Sequence, residues 1–522
     1  MAGKLTRRSA LQAVAAGAGI TAGTTAFLFR KPRPVAGRYV DRSHAVGHAI
    51  RDGRPVPATG ARSRVPVAIV GGGIAGLSAA WRMRRLGFDD FVVLEMEDSP
   101  GGNSRSGGNE HTEYPWGAHY VPVPDRRIPL VEELFTELGV LRDGKWDSSH
   151  VCREPLGRLF LRGEWVPDIE PGEESSPSER EQFDRFWDRM DYFRHGGGFT
   201  IPIRGGRRAG ELDWISMKSW MIEQGFFNAR LRWYVDYACR DDYGGSYGQT
   251  SAWAGIHYFA ARAEDDTALL TWPEGNGWIV KRLATELSPW LRKGTPVHRI
   301  AEADRHIEVV TERATYECDA VVFAAPAFLA PFLMPGLRDR LPSMSEFDYS
   351  PWYTANLVID RLPREHGTSP AWENVIYDSP GLGYVVATHQ TTGGSVAPTV
   401  WTYYRAMSGQ TPQAARHSLL NTSWSDRKEE VLADLERAHP DIRDCVQRLD
   451  IMRLGHAMIR PAPGFISSHA RDRLATMEGP VQFANSDLSG ISIFEEAQYR
   501  GVRAAERVLS RLGYRNLDYA DD

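Results

Sequence analysis

Residues 65–95 combine a glycine-rich turn with apolar runs on both sides. Val65-Pro66-Val67-Ala68-Ile69-Val70 leads into Gly71-Gly72-Gly73-Ile74-Ala75-Gly76, after which Leu77, Ala80, Trp81, Met83 and Leu86 recur at helical spacing up to Gly87. A second apolar run, Phe91-Val92-Val93-Leu94, ends in Glu95. The order predicts strand, turn, helix, strand. Gly71 permits the tight turn, Gly73 lets backbone N–H groups approach a pyrophosphate, and Gly76 lets helix and strand pack closely. The helix N-terminus, with Ile74 and Ala75 in its first turn, faces the phosphates, and Glu95 is placed to accept hydrogen bonds from a ribose diol. This is the chemistry of dinucleotide binding.

The continuation narrows the dinucleotide. Pro100-Gly101-Gly102-Asn103-Ser104-Arg105-Ser106-Gly107, then Tyr114-Pro115-Trp116-Gly117-Ala118-His119-Tyr120, resembles the flavin amine oxidase superfamily, which includes protoporphyrinogen oxidase and phytoene desaturase types. The resemblance implies FAD, with Gly101 and Gly102 near the diphosphate and Gly117 and Ala118 beside the isoalloxazine. The family's usual Gly-Gly-Arg is Gly-Gly-Asn here, which leaves Arg105 to supply the cation. Two further segments carry the same resemblance. Gly275-Asn276-Gly277-Trp278 opens a helix ahead of Thr295-Pro296-Val297-His298-Arg299-Ile300, where Val297 would meet the adenine side through its backbone; Asp319 to Pro326 is the apolar strand that follows. Near the C-terminus, Val481 to Gly490 precedes an amphipathic helix over Ile491 to Leu509. There the resemblance implies Asp487 on the ribityl chain, Ser492 among the cofactor contacts, and a helix N-terminus directed at the N1/C2 carbonyl edge of the flavin. Cys445 is the last cysteine, so a thioether from the C-terminal segment is excluded and the FAD is expected to be non-covalent.

The elements that must position these segments follow from their spacing. The expected architecture is α/β: a Rossmann-like three-layer FAD domain with an interposed α+β substrate domain. Its boundaries fall at 1–30 (signal or anchor), 31–64 (linker, or an arm over the body), 65–125, 273–333 and 456–522 (FAD domain), and 126–272 and 334–455 (substrate domain). The substrate domain holds an aromatic-rich helical stretch and alternating strands. From it Tyr258, Trp401 and Tyr404 are candidate substrate contacts. His119, next to the flavin-flanking Gly117-Ala118, and His456 are the catalytic candidates.

The reaction implied by the resemblance is removal of hydride from an amine, a polyamine being one option. A carotenoid- or porphyrinogen-type desaturase is the alternative. A redox-neutral enzyme like UDP-galactopyranose mutase is another; it would need arginines for a diphosphate, for which Arg204, Arg207, Arg208, Arg230 and Arg232 are available. Relatives that use oxygen often carry a lysine at the start of the strand matching Ser350 to Asn356, and no lysine stands there. The expected electron acceptor is therefore a quinone, cytochrome or haem.

At 522 residues the chain exceeds what one hydrophobic core supports. Its composition, 42% hydrophobic and 25% charged, excludes fibrous and wholly disordered classes. The net charge is −5 although the first 40 residues hold seven Lys/Arg and no acid, so the body is strongly acidic. That argues against nucleic acid as a partner and suits a cationic substrate. Four dispersed cysteines with no C-x-x-C speak against zinc and covalent haem, and no metal site is expected. Arg7-Arg8 ahead of an apolar run through Phe29, closed by Arg30-Lys31-Pro32-Arg33, resembles a twin-arginine signal. It implies the twin-arginine translocase as a partner, and a periplasmic location or an anchor on the outer face of the inner membrane.

Overall fold

A five-stranded parallel sheet lies beneath the glycine turn. In the computed structural model, which describes residues 34–41, 43–54, 60–124, 128–172, 175–203, 210–262, 268–392 and 396–514, its strand order is Leu291–Arg292, Phe91–Leu94, Val67–Val70, Ala320–Phe323, Val481–Phe483. The three inner runs are continuously apolar because both faces are covered. Val67, Ile69, Phe91, Val93 and Val322 face helices Ile74–Arg85 and Phe494–Arg511. Ala68, Val70, Val92, Leu94 and Phe323 face a four-stranded sheet, Arg62–Arg64, Thr315–Cys318, Ile307–Thr311, Val297–Glu302. Three layers result. The two helices cross closely at Gly501, where a Cβ would stand 2.1 Å from the carbonyl oxygen of Ala75.

The second sheet has seven strands, in the order Glu164–Pro167, Gly157–Leu161, Glu373–Ile376, Tyr384–Val386, Thr399–Ala406, Tyr349–Ile359, Val446–Ile459. All neighbours are antiparallel except Gly157–Leu161 with Glu373–Ile376. Tyr349–Ile359 is buried at every position instead of alternating. Helices Pro412–Asn421 and Trp424–Leu435 pack on one face, while the other looks toward helix Ala229–Tyr243.

The segment 31–64 is more than a tether. Ala36 and Tyr39 bridge in parallel to Arg448 and Ile451, and Arg62–Arg64 pairs with Thr315–Cys318, so the folded body begins ahead of Val65. The signal-like residues 1–30 and Arg204, Arg207 and Arg208 lie outside the described residues. Among the described residues no helix is long and apolar enough to cross a membrane.

Candidate active site

The glycine turn opens into a cleft of about 350 Å³ lined by Gly71, Gly73, Ile74, Ala75, Glu95, Gly101, Gly102, Arg105, Ala118, Val297, Asp487 and Ser492. Twelve of the residues assigned to the cofactor from sequence therefore converge on one surface. Gly71 has φ +108, a conformation side chains rarely adopt, and a Cβ on Gly73 would meet nothing nearer than Gly102 Cα at 3.9 Å. The space over Gly73 is the cradle a dinucleotide phosphate needs. Gly76 stands behind the wall: its Cβ would lie 1.9 Å from the Gly71 carbonyl oxygen, so its work is close packing. Gly117 lines the adjoining cavity instead, pressed against Asn103, whose carbonyl oxygen would be 2.2 Å from an added Cβ.

Several groups point to a polar ligand. The N-termini of helices Ile74–Arg85 and Phe494–Arg511 border the cleft, and neither carries a side-chain cap. Asn276 and Asn485 line it, each with a buried Oδ1 that has no protein partner. Glu95 accepts from Gly72 N–H at 2.7 Å and Glu97 N–H at 2.8 Å, and burial still raises its pKa. Asp487 Oδ2 accepts from the Tyr349 hydroxyl at 2.6 Å and Ala327 N–H at 2.8 Å. Arg105 is held by Glu97 at 3.1 Å and the Gly102 carbonyl at 3.1 Å, which sets a guanidinium beside the glycine pair. These donors and acceptors fit FAD: uncapped helix ends for the diphosphate and flavin edge, carboxylates for the sugar hydroxyls.

Past Ala118 and Ser492 the cleft adjoins a cavity of about 150 Å³. His119 and Tyr404 line it with ring centroids 4.7 Å apart, and the Tyr404 hydroxyl donates to Gly117 O at 2.9 Å. Burial pushes the His119 pKa down to about 4, so the ring is neutral. Asp241, Asp242, Arg262 and Glu495 complete the charged lining, with Arg262 and Glu495 paired at 2.8 Å. A second chamber of about 420 Å³ shares Tyr120, Asp242, Arg262 and Ile493 with the first and is also lined by Tyr258 and Glu170.

Two sequence candidates fall elsewhere. Trp401 is not in the cavity. Strand Thr399–Ala406 sends Tyr404 to one face and Trp401 to the other, where it stacks on Tyr384 at 4.1 Å under the covering helices. His456 stands in the wall of the cofactor cleft, stacked on Phe328 at 4.2 Å, away from the cavity that holds His119. Sequence reasoning missed Tyr349, Asn276, Asn485, Arg262 and the pair Asp241-Asp242. Only the last carried a signal: two adjacent acids in the middle of an aromatic helical stretch. Arg230, weighed as a diphosphate ligand, is buried and bound to Ser175 Oγ at 2.7 Å and Glu170 O at 3.0 Å.

Comparison with known proteins agrees with this geometry. An L-amino acid dehydrogenase from Synechocystis sp. is 26% identical over 296 residues, 52% of this chain and 59% of its own. Flavin-containing amine oxidase A of Canis lupus familiaris is 24% identical over 314 residues, 57% of this chain and 54% of its own. The chain thus spans little more than half the length of these relatives. A solved structure of putrescine oxidase bound to putrescine superposes with TM-score 0.61 at 18% identity, covering 86% of this chain and all (100%) of that one. Cyclohexylamine oxidase from Brevibacterium oxydans gives 0.60 at 16%, with 86% and 100% covered. Both show the same fold. The model of the family of flavin-containing amine oxidoreductases matches residues 74–509, so the chain belongs to that family and FAD is the cofactor its cleft holds.

Proposed function

We propose that this protein oxidises an amine, passing two electrons to FAD, and that the amine carries no carboxylate. The observation that carries the reading is the charge of the cavity beside Ala118. Three carboxylates line it, Asp241, Asp242 and Glu495, and Arg262, its one lining cation among the described residues, is tied to Glu495. An α-amino acid would bring a carboxylate to a wall with no free cation to receive it. An ammonium group is attracted to the same wall, and Tyr120, Tyr404 and Trp352 offer it aromatic faces.

FAD supplies the hydride acceptor. The chain supplies orientation and dryness. Trp352 and Thr354 on the buried strand, Tyr404 beside Thr354 on the neighbouring strand, and His119 confine the carbon to be oxidised against the flavin-facing wall at Ala118. The second chamber adds Glu170 and Asp191 to Asp242, and its two arginines are each paired, Arg194 with Asp191 and Arg262 with Glu495, which favours a linear amine with a further cationic nitrogen, a di- or polyamine. Neither a carotenoid nor a nucleotide diphosphate suits a cavity of this charge.

The decisive experiment is an anaerobic titration with diamines, aromatic amines, L-amino acids and UDP-galactose, followed by flavin bleaching. Bleaching by amines at much lower concentration than by amino acids supports the reading; bleaching by amino acids alone overturns it. We further propose that electrons leave to a quinone, cytochrome or haem, and that the protein is exported by the twin-arginine translocase to the periplasm or the outer face of the inner membrane. Arg7→Lys with Arg8→Lys keeps the charge but removes the paired arginines, so FAD-loaded precursor should accumulate in the cytoplasm. Unchanged export would exclude that route.

A further inference from the structure

Helix Ala229–Tyr243 delivers two consecutive carboxylates to the cavity. Neighbouring helical residues point about 100° apart, so the two acids face different surroundings. Asp242 lies at the junction of the two chambers, within the field of the Arg262–Glu495 pair. Asp241 faces the inner cavity alone, and its carboxylate has no hydrogen-bond or ion-pair partner among the described residues.

The groups around Asp241 come from every element packed against it. Tyr237 on its own helix, Tyr258, Tyr120 and Tyr404 each feel its charge. Glu373 and Asp242 add negative charge, and Arg240, the cation whose charge acts on it, is turned to Asp236 at 3.0 Å. His119, which is neutral, and the paired Arg262 and Glu495 complete the titratable lining of the cavity. An enclosed carboxylate with no partner is costly unless something else brings the countercharge.

Amines reach the enzyme as ammonium ions, which have no lone pair to expel hydride from the adjacent carbon. Resting on the amine reading above, we propose that Asp241 takes the proton from the substrate nitrogen. The N–H bond breaks with its electron pair remaining on nitrogen, and an O–H bond forms on Asp241. The neutral amine then has the lone pair that forms a C=N bond as hydride leaves the α-carbon, and bound FAD would supply the acceptor for that hydride. The proton on Asp241 passes to solvent as the product leaves. Two features set the direction. Enclosure penalises ammonium and carboxylate alike, and the charges of Glu373 and Asp242 join burial in holding the Asp241 carboxyl well above the usual carboxylate range. In this cavity the shared proton therefore rests on oxygen and the amine is neutral.

The test compares wild-type holoenzyme with Asp241→Asn and Asp241→Glu, each first shown to carry FAD by its visible spectrum. One measurement needs no turnover. tert-Butylamine has no α-hydrogen and cannot be oxidised, so its binding isolates the proton transfer. Infrared difference spectra should show a carboxylic acid carbonyl band on binding to wild type, absent from Asp241→Asn and restored in Asp241→Glu. The second measurement uses whichever amine bleaches the wild-type flavin fastest. Asp241→Asn should reduce about 100-fold more slowly at neutral pH, a loss typical of a missing proton acceptor. Its rate should then climb about tenfold per pH unit toward the pKa of the amine, as free base from solution replaces the lost step. No carbonyl band in wild type, or an unchanged pH profile in Asp241→Asn, would overturn the proposal. If no amine bleaches wild type, it is the amine reading that fails, and the tert-butylamine band still judges Asp241 on its own.

Discussion

The hydroxyl of Tyr349 donates to Asp487 Oδ2 at 2.6 Å, joining the first residue of the fully buried strand Tyr349–Ile359 to the turn before the C-terminal helix. Ala327 N–H binds the same oxygen at 2.8 Å. Oδ2 is thus held by protein, and the rest of the carboxylate is left to the cleft. Tyr349→Phe should lower FAD affinity by roughly fivefold to tenfold, the worth of one hydrogen bond to a buried acceptor, whereas Asp487→Ala should abolish retention. Equilibrium reconstitution of apoprotein with FAD measures both. Equal affinity for wild type and Tyr349→Phe would show that Asp487 is positioned by other means.

Three glycines distinguish binding from packing. Gly73 has room for a methyl group but not for branched carbons beneath a phosphate, so Gly73→Ala should keep most FAD and Gly73→Val should yield colourless, folded protein. Gly76 and Gly501 offer no room even for a methyl, since each Cβ would meet a backbone carbonyl oxygen, at 1.9 Å and 2.1 Å. Gly76→Ala and Gly501→Ala should each cost about 3 kcal/mol, the upper range for overpacking, because backbone has to move. Thermal melts of the apoproteins check this ordering, which reverses if Gly73 is the packing residue.

The phosphate turn was legible in the sequence because glycines there answer to backbone demands a few residues away. The cavity was not, because its lining comes from nine separate stretches of chain brought together only in the folded protein. Trp401 and Tyr404 look equivalent as aromatic strand residues. Only the pairing of Leu357 with Trp401 and Thr354 with Tyr404 decides which face each takes. Asn485 and Tyr349 serve the cleft across more than a hundred residues of sequence, with nothing local to mark them.

His257 couples stability to pH in a definite direction. It is 2% exposed, its Nε2 lies 3.1 Å from Thr200 O, and burial lowers its pKa from 6.5 to about 4. Between those values the unfolded chain binds the extra proton, so the contribution is complete above pH 6.5 and is lost as pH falls toward 4. At about 1.4 kcal/mol per unit the full effect is on the order of 3 kcal/mol. Asp242 and Glu373, raised to about 6 and about 7 by burial, act with the opposite sign but equally in any variant that keeps them. Urea unfolding of wild type and His257→Asn across this range should therefore show a shallower fall in the variant; parallel curves would mean His257 is protonated in the folded protein.

Oxygen should be a poor acceptor for this enzyme. Reduction of oxygen by flavin passes through superoxide, an anion that a fixed cation in a low-dielectric site stabilises. The strand Tyr349–Ile359, matching the segment where oxygen-using relatives often place a lysine, contains none. Trp352 and Thr354 are its side chains at the cavity, and they bring no charge. Two groups there could substitute. His119 would have to be protonated, but burial holds its pKa at about 4. Arg262 is charged, yet Glu495 sits 2.8 Å from it and Asp242 shares the same wall, so among the described residues lining the cavity no uncompensated cation meets superoxide. Rapid mixing of substrate-reduced enzyme with aerated buffer should give reoxidation far slower than turnover with a dye acceptor. Replacing Glu495 by Gln frees the Arg262 charge and should speed reoxidation, by roughly tenfold for each 1.4 kcal/mol of added stabilisation. Reoxidation of wild type as fast as turnover would sink the argument, and with it the quinone, cytochrome or haem as the physiological acceptor.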